Sequence, residues 1–310
     1  MSYQKLPKGI ISVLQTPFFP DGKLDEDSLL RLVEDAIAAG VDGFLAPVVA
    51  SELSALTASE RQRIISLVAG ATEGRVPLIV GASSDEPAVC RGFAKQAADA
   101  GATAFLVAVP SDLYRASDRI VRFFLDVAQG SELPLVIQDL QFNGPGMDLD
   151  TIAALARALP SLAGFKIETT PAGPKYSAVR QLLGEEVWIA GGWAVPQMIE
   201  TLDRGVDAMI PESAMVRVYK AVDRAFRLGD RQRAVDLFRQ LVPVLSFANQ
   251  ELYTSIAFFK RLLAAKKVFA DATVRPPGFE WDDYSRRIAD ELISHYLDLE
   301  NEIAKPAGRR

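Results

Sequence analysis

Along the chain, two hydrophobic rhythms take turns. Short, almost uninterrupted apolar runs read as parallel strands buried on both faces. Each is followed by a longer stretch in which apolar positions recur every three or four residues, the pattern of an amphipathic helix. Strands are predicted at residues 9–18, 43–49, 76–82, 104–110, 133–139, 162–169, 187–192 and 208–211. The helices between and after them are predicted at 25–39, 58–72, 86–100, 117–129, 149–158, 176–183, 195–204 and 215–228. Thr57 with Glu60 three residues later forms a capping box for the second helix, and Gly40, Gly101 and Gly205 stop others.

Eight strand–helix units with short connections predict an α/β fold, a closed (β/α)8 TIM barrel. An open doubly wound sheet also alternates, but it carries a glycine fingerprint after its first strand. Here that turn reads Thr16-Pro17-Phe18-Phe19-Pro20-Asp21-Gly22, without such a fingerprint. After Gly229 the alternation gives way to three helices, at 231–247, 249–267 and 281–303, with a proline-rich link at 274–278. The predicted organisation is therefore a barrel over residues 1–229 and a C-terminal helical extension over 230–310, which pads the barrel or pairs subunits.

Composition narrows the function classes. Hydrophobic residues make up 49% and charged ones 24%, close to the globular average, and the net charge of −6 has no basic block to seat nucleic acid. Cys90 is the single cysteine, which excludes an internal disulfide and a multi-cysteine metal site. His295 is the single histidine and sits in an amphipathic C-terminal segment, where a surface or packing role is expected. The first residues, Met1-Ser2-Tyr3-Gln4-Lys5, show no signal pattern, and no apolar run reaches ~18 residues; the expectation is a cytoplasmic protein without membrane partners.

The sixth predicted strand, Leu162-Ala163-Gly164-Phe165-Lys166-Ile167-Glu168-Thr169, carries a lysine in an apolar run. An ammonium there is costly unless paired, neutralised or put to use. As a neutral amine it attacks a ketone to form a Schiff base; at a strand end it also has the plainer option of pairing with Glu168 or reaching solvent. Active sites of such barrels are built at the C-terminal ends of the strands. The candidates there are Thr16, Val49-Ala50-Ser51-Glu52, Ser83-Ser84, Ser111-Asp112, Gln138-Asp139, Lys166 with Glu168, Gly191-Gly192 and Glu212-Ser213, and Lys166 is the only lysine among them. The Ala50-Ser51 turn is suited to holding a substrate carboxylate with backbone N–H groups and the Ser51 hydroxyl, or is an ordinary connection with a polar tip. Gln138 and Asp139 either face the pocket or satisfy a neighbouring loop.

Several motifs run in register over residues 9–300: Thr16-Pro17-Phe18 with Asp21-Gly22 and Leu24-Asp25; Gly40-Val41-Asp42-Gly43; Glu52 with Leu56-Thr57 and Glu60-Arg61; Gly101-Ala102; Pro110; Leu133-Pro134; Gly164-Phe165-Lys166; and Gly205. With them the chain resembles the dihydrodipicolinate synthase and N-acetylneuraminate lyase superfamily. The resemblance implies a barrel with C-terminal helices and a homo-oligomer, dimer or tetramer. It also implies Schiff-base chemistry by Lys166 on a small-molecule 2-oxo acid, with neither metal nor organic cofactor.

The departures from the family pattern are specific. Val48-Val49-Ala50-Ser51-Glu52 stands where most members have a Gly-Thr-Thr-Gly-Glu turn, and Gln138-Asp139 where most have a tyrosine–asparagine pair; the second family tyrosine falls near Ser111-Asp112. A phenol carries protons in the aldolases and synthases, so its loss speaks against dihydrodipicolinate synthase and sialic acid lyase activities. Ser51-Glu52, Val136-Ile137-Gln138-Asp139, Phe165-Lys166-Ile167-Glu168-Thr169 and residues 249–260 are similar to the branch containing 2-keto-3-deoxy-L-arabonate dehydratase. The expectation is a lyase that dehydrates a 2-keto-3-deoxy sugar acid to a dioxo acid, with Lys166 as nucleophile and Ala50, Ser51, Gln138, Asp139, Glu168, Gly191, Gly192 and Ile210 around the substrate. A substrate carboxylate, a water, Ser51, Asp139 and Glu168 stand as candidate proton carriers. The alternatives are a pyruvate-releasing aldolase using the same lysine and a non-catalytic sugar-acid-binding barrel.

Overall fold

Apolar runs too short for helices become strands here because each finds a parallel neighbour on both sides. Among the described residues, eight strands close into a barrel in sequence order: β1 Gly9–Val13, β2 Gly43–Ala46, β3 Leu78–Gly81, β4 Ala104–Ala108, β5 Leu135–Gln141, β6 Leu162–Thr169, β7 Trp188–Gly191 and β8 Ala208–Met209. Closure comes from β1 pairing with β8 through Gly9 opposite Ala208 and Ile10 opposite Met209. The coordinates are a computed structural model that describes residues 6–192, 195–275 and 279–305. Met1 to Lys5, on which the N-terminal reading rests, lie outside the described residues, as do 276–278 of the predicted link.

The helices α1 Glu26–Ala38, α2 Ala58–Thr72, α3 Pro87–Asp99, α4 Ser117–Ala128, α5 Leu149–Ala158, α6 Ala172–Leu183, α7 Met198–Asp203 and α8 Val216–Arg227 follow their strands. The capping box forms as the sequence pattern requires: Thr57 Oγ1 accepts the Glu60 N–H at 3.2 Å and Glu60 Oε2 accepts the Thr57 N–H at 2.9 Å.

Strand periodicity divides the core in two. Ile11, Val13, Leu45, Ile79, Leu106, Val136, Trp188 and Ile210 fill the barrel interior. Ile10, Phe44, Val80, Phe105, Ile137, Phe165 and Ile167 point outward into the layer between sheet and helices. On β6 this alternation puts Phe165 and Ile167 outside and therefore Lys166 and Glu168 inside.

Most predicted strands run past the observed ladders at their C-terminal ends. Residues 14–18 and 47–49 leave the ladder and turn over the mouth of the barrel. β5 goes the other way, extending to Gln141, because its pairing with β6 continues as far as Gln141 opposite Thr169. α6 begins a turn earlier than predicted: Pro174 lies in its first turn, where a missing N–H costs no intrahelical bond.

The extension consists of α9 Arg231–Ala248, α10 Leu252–Ala265 and α11 Asp283–Ala304. It is tied to the barrel mouth by a buried ion pair between Lys260 on α10 and Glu52 after β2. Phe18 lies against both Lys260, 4.4 Å from its ring centroid, and the Arg275 guanidinium, at 3.9 Å. Arg275 in turn pairs with Glu60 and donates to the Gly22 carbonyl. His295 is exposed, with Nε2 2.8 Å from the Gln240 carbonyl oxygen. No helix among the described residues is long and apolar enough to cross a membrane.

Candidate active site

Two neighbouring strands supply the centre. β5 and β6 align Gln138 directly opposite Lys166, and both side chains are inward by the two-residue period. Lys166 is 3% exposed, and its Nζ lies 3.0 Å from Glu168 Oε1. The second Glu168 oxygen accepts a hydrogen bond from Gln138 Nε2, while the Gln138 amide oxygen is buried without a partner among the described residues. The lysine is thus both shut away and paired with a carboxylate.

Gly192, just beyond β7, makes room for this pair. A Cβ at that position would stand 1.8 Å from Glu168 Oε1, closer than any real contact.

A cavity of about 60 Å³ opens above the pair, with Val13, Ala50, Gly192, Ile210 and Glu212 in its wall together with Lys166 and Glu168. Tyr219 on α8 is also in the wall, and the extension contributes Leu245 and Asn249 at the end of α9 and Ser255 and Phe259 on α10. Pro196, Leu245 and Asn249 also line a more open cleft of about 280 Å³, so the small chamber borders a way out.

Of the residues expected around the substrate, Ala50, Lys166, Glu168, Gly192 and Ile210 meet at this cavity, and Gln138 touches it through Glu168. Gly191 instead belongs to the β7 ladder, its carbonyl oxygen accepting the Ile210 N–H at 2.8 Å. Ser51 is spent on its own turn. Its hydroxyl donates to the Leu14 carbonyl at 2.6 Å and accepts the Val48 N–H at 3.2 Å, and its own N–H goes to the Val48 carbonyl.

Asp139 faces the opposite way from Gln138, as adjacent strand residues must. Its carboxylate meets Lys175 Nζ at 2.6 Å and the Met147 N–H at 3.0 Å, within the sheet–helix layer. Burial raises its pKa and Lys175 opposes that rise. The Tyr114 hydroxyl is buried beside Asp139; burial first, then the Asp139 charge, push that phenol's pKa up. Ser83, Ser84 and Ser111 line a separate cleft of about 440 Å³, whose wall contains no lysine among the described residues. Among the described residues no group of three or more His, Cys, Asp or Glu is placed to hold a metal.

Glu212 is the wall residue that strand-end reading touched without selecting. Ala208 and Ile210 face the barrel interior, so the same period carries Glu212 inward, and it bridges in parallel to Val13 of β1. Tyr219 donates to its Oε1 at 2.8 Å and the Ala214 N–H donates to Oε2. Burial pushes its carboxyl up to about 7, against the pull of those two bonds and of Lys266.

The closed parallel barrel and a pocket at its C-terminal mouth that holds a buried, paired lysine define an enzyme barrel, in which strand ends and the loops beyond them carry the chemistry. The chain belongs to the dihydrodipicolinate synthetase family, whose pattern it matches over residues 6–296, and so to a family of lyases. It is 27% identical over 277 residues to the L-2-keto-3-deoxyarabonate dehydratase of Azospirillum brasilense, covering 87% of this chain and 88% of that one. It is 25% identical over 295 residues to the 4-hydroxy-tetrahydrodipicolinate synthase of Bartonella bacilliformis, covering 93% and 97%. The fold is that of the dihydrodipicolinate synthase of Rhodopseudomonas palustris, with a TM-score of 0.85 at 22% identity over 94% of this chain and 97% of that one.

Proposed function

We propose that the protein is a Schiff-base-forming lyase that dehydrates a 2-keto-3-deoxy sugar acid, of the 2-keto-3-deoxy-L-arabonate kind, to a dioxo acid. The observation that carries this reading is the sealed Lys166–Glu168 pair at 3.0 Å with Gln138 behind it. Glu168 takes the proton from Lys166, and the free amine adds to the C2 carbonyl. The same proton, returned to the carbinolamine hydroxyl, lets it leave as water and gives the iminium. That iminium acidifies C3, and the Glu168 carboxylate, already beside the nitrogen, removes a C3 proton to form the enamine.

Retro-aldol cleavage would start elsewhere, by deprotonating the C4 hydroxyl. At the family's tyrosine position on β5 this chain has the Gln138 amide, which donates a hydrogen bond to Glu168 but does not act as an acid or base at neutral pH. That difference favours C4–O over C3–C4 cleavage. The relative from Azospirillum brasilense bears the dehydratase name, and 4-hydroxy-tetrahydrodipicolinate synthases are relatives of comparable identity. This reading lays the carbon chain from Lys166 toward Pro196 and Asn249, which line both the small chamber and the adjoining cleft.

The test is product analysis with 2-keto-3-deoxypentonates. The reading expects a dioxo acid and no pyruvate; stoichiometric pyruvate with a two-carbon aldehyde would make the protein an aldolase.

A further inference from the structure

We infer that Glu212 is the acid that protonates the departing C4 hydroxyl, a second proton carrier facing Glu168 across the cavity; this rests on the dehydratase reading above. Among the described residues the cavity wall contains four groups that titrate: Lys166, Glu168, Glu212 and Tyr219. Lys166 is the nucleophile in that reading, and Glu168 is committed to its nitrogen at 3.0 Å. Tyr219 directs its hydroxyl proton to Glu212 Oε1. Glu212 alone is left to serve the far end of the reacting system. It stands beyond β8, separated from Lys166 on β6 by β7, so a molecule bound to the lysine through C2 lies between the two carboxyl groups.

Its environment suits an acid. Glu212 is enclosed by protein yet partly exposed, and it is in the wall of the cavity that it meets open space. With its pKa pushed up to about 7 by burial, it is a carboxylic acid in a good share of molecules at neutral pH. In the elimination the enamine nitrogen pair re-forms the C2=N bond, the C2=C3 pair becomes C3=C4, and the C4–O bond breaks with its electrons. The leaving oxygen takes the Glu212 proton and departs as water, and Glu212 becomes a carboxylate that regains its proton from solvent before the next turnover. No oxidant or reductant enters.

The plain alternative is a structural carboxylate that caps Ala214 and holds Tyr219. The two roles separate in the pH profile of kcat. The charged or titratable groups that face Glu212 are Tyr219 on α8, Lys266 just after α10, Tyr296 on α11, and Lys166 and Glu168 across the cavity. An acid at Glu212 gives an alkaline limb near its own pKa. Glu212→Gln should lose at least about 100-fold in kcat and lose that limb, while borohydride with pyruvate still traps Lys166 to the wild-type extent. Tyr219→Phe removes a bond that lowers the Glu212 pKa, so its limb should move to higher pH. Three results overturn the inference: a Glu212→Gln kcat within threefold of wild type, an unmoved limb in both variants, or trapping that falls in parallel with kcat. Wild-type protein that traps no 2-oxo acid at all would instead remove the dehydratase reading, and this inference with it.

Discussion

Gly192→Ala isolates the placement of one carboxylate. Gly192 does not need a left-handed backbone, so alanine changes only the space. Its Cβ would lie 1.8 Å from Glu168 Oε1, 2.2 Å from Cδ and 2.4 Å from Cγ. Restoring ordinary contact distances drives the carboxylate back by about 1.5 Å, which breaks its 3.0 Å contact with Lys166 Nζ. A misplacement of roughly 1 Å in a catalytic group costs on the order of 100-fold, equivalent to about 3 kcal/mol of barrel-mouth transition-state stabilisation. The fold should survive, since the side chain at the clash can rotate and overpacking of this kind costs about 1–3 kcal/mol. Steady-state dehydration assays on Gly192→Ala, Glu168→Gln and the double variant test this. If both act through the same carboxylate, the double variant is no slower than the slower single one. A Gly192→Ala enzyme keeping more than a third of wild-type kcat, or losses that multiply in the double variant, would refute the placement.

Two further predictions concern stability. Lys260→Met leaves Glu52 buried without its cation, which should cost about 3–5 kcal/mol in urea unfolding, and adding Glu52→Gln should recover a large part; a loss below about 1 kcal/mol would mean the extension is not anchored there. Glu212 has a folded pKa of about 7 against its ordinary 4.5. Its contribution is therefore full below pH 4.5 and lost as pH rises to 7, on the order of 3 kcal/mol. The thermal midpoint of wild type should fall between pH 5 and pH 8 relative to Glu212→Gln, and parallel curves for the two would contradict the buried acid.

The barrel was legible because parallel strands buried on both faces leave uninterrupted apolar runs, and β6 is observed over the very residues 162–169 predicted for it. Strand ends were less legible, because apolar residues such as Leu14 and Phe18 continue the run of β1 past the end of its regular ladder. In the site, strand parity carried the information. Lys166, Glu168 and Gln138 share the inward face. The same rule separates Asp139 from Gln138, so the two could not both have faced the pocket, and it links Glu212 to Ile210. What parity does not reach is the turn after β2, where the Ser51 hydroxyl closes on Leu14 rather than opening to a ligand. Nor does it reach the Lys260–Glu52 pair, two charges from distant segments that meet only after folding. A buried lysine alone would have pointed to Lys260 as readily as to Lys166. Burial pushes the Lys260 ammonium down to about 8, but it is locked against Glu52 and Phe18 and is absent from the wall of the cavity.

That contrast supplies the most direct measurement. Protein treated with pyruvate and borohydride, then digested and mass-mapped, should carry one reduced adduct on the peptide containing Lys166, and Lys166→Ala should carry none. An adduct on Lys260, or an undiminished adduct in Lys166→Ala, would contradict the assignment of the nucleophile.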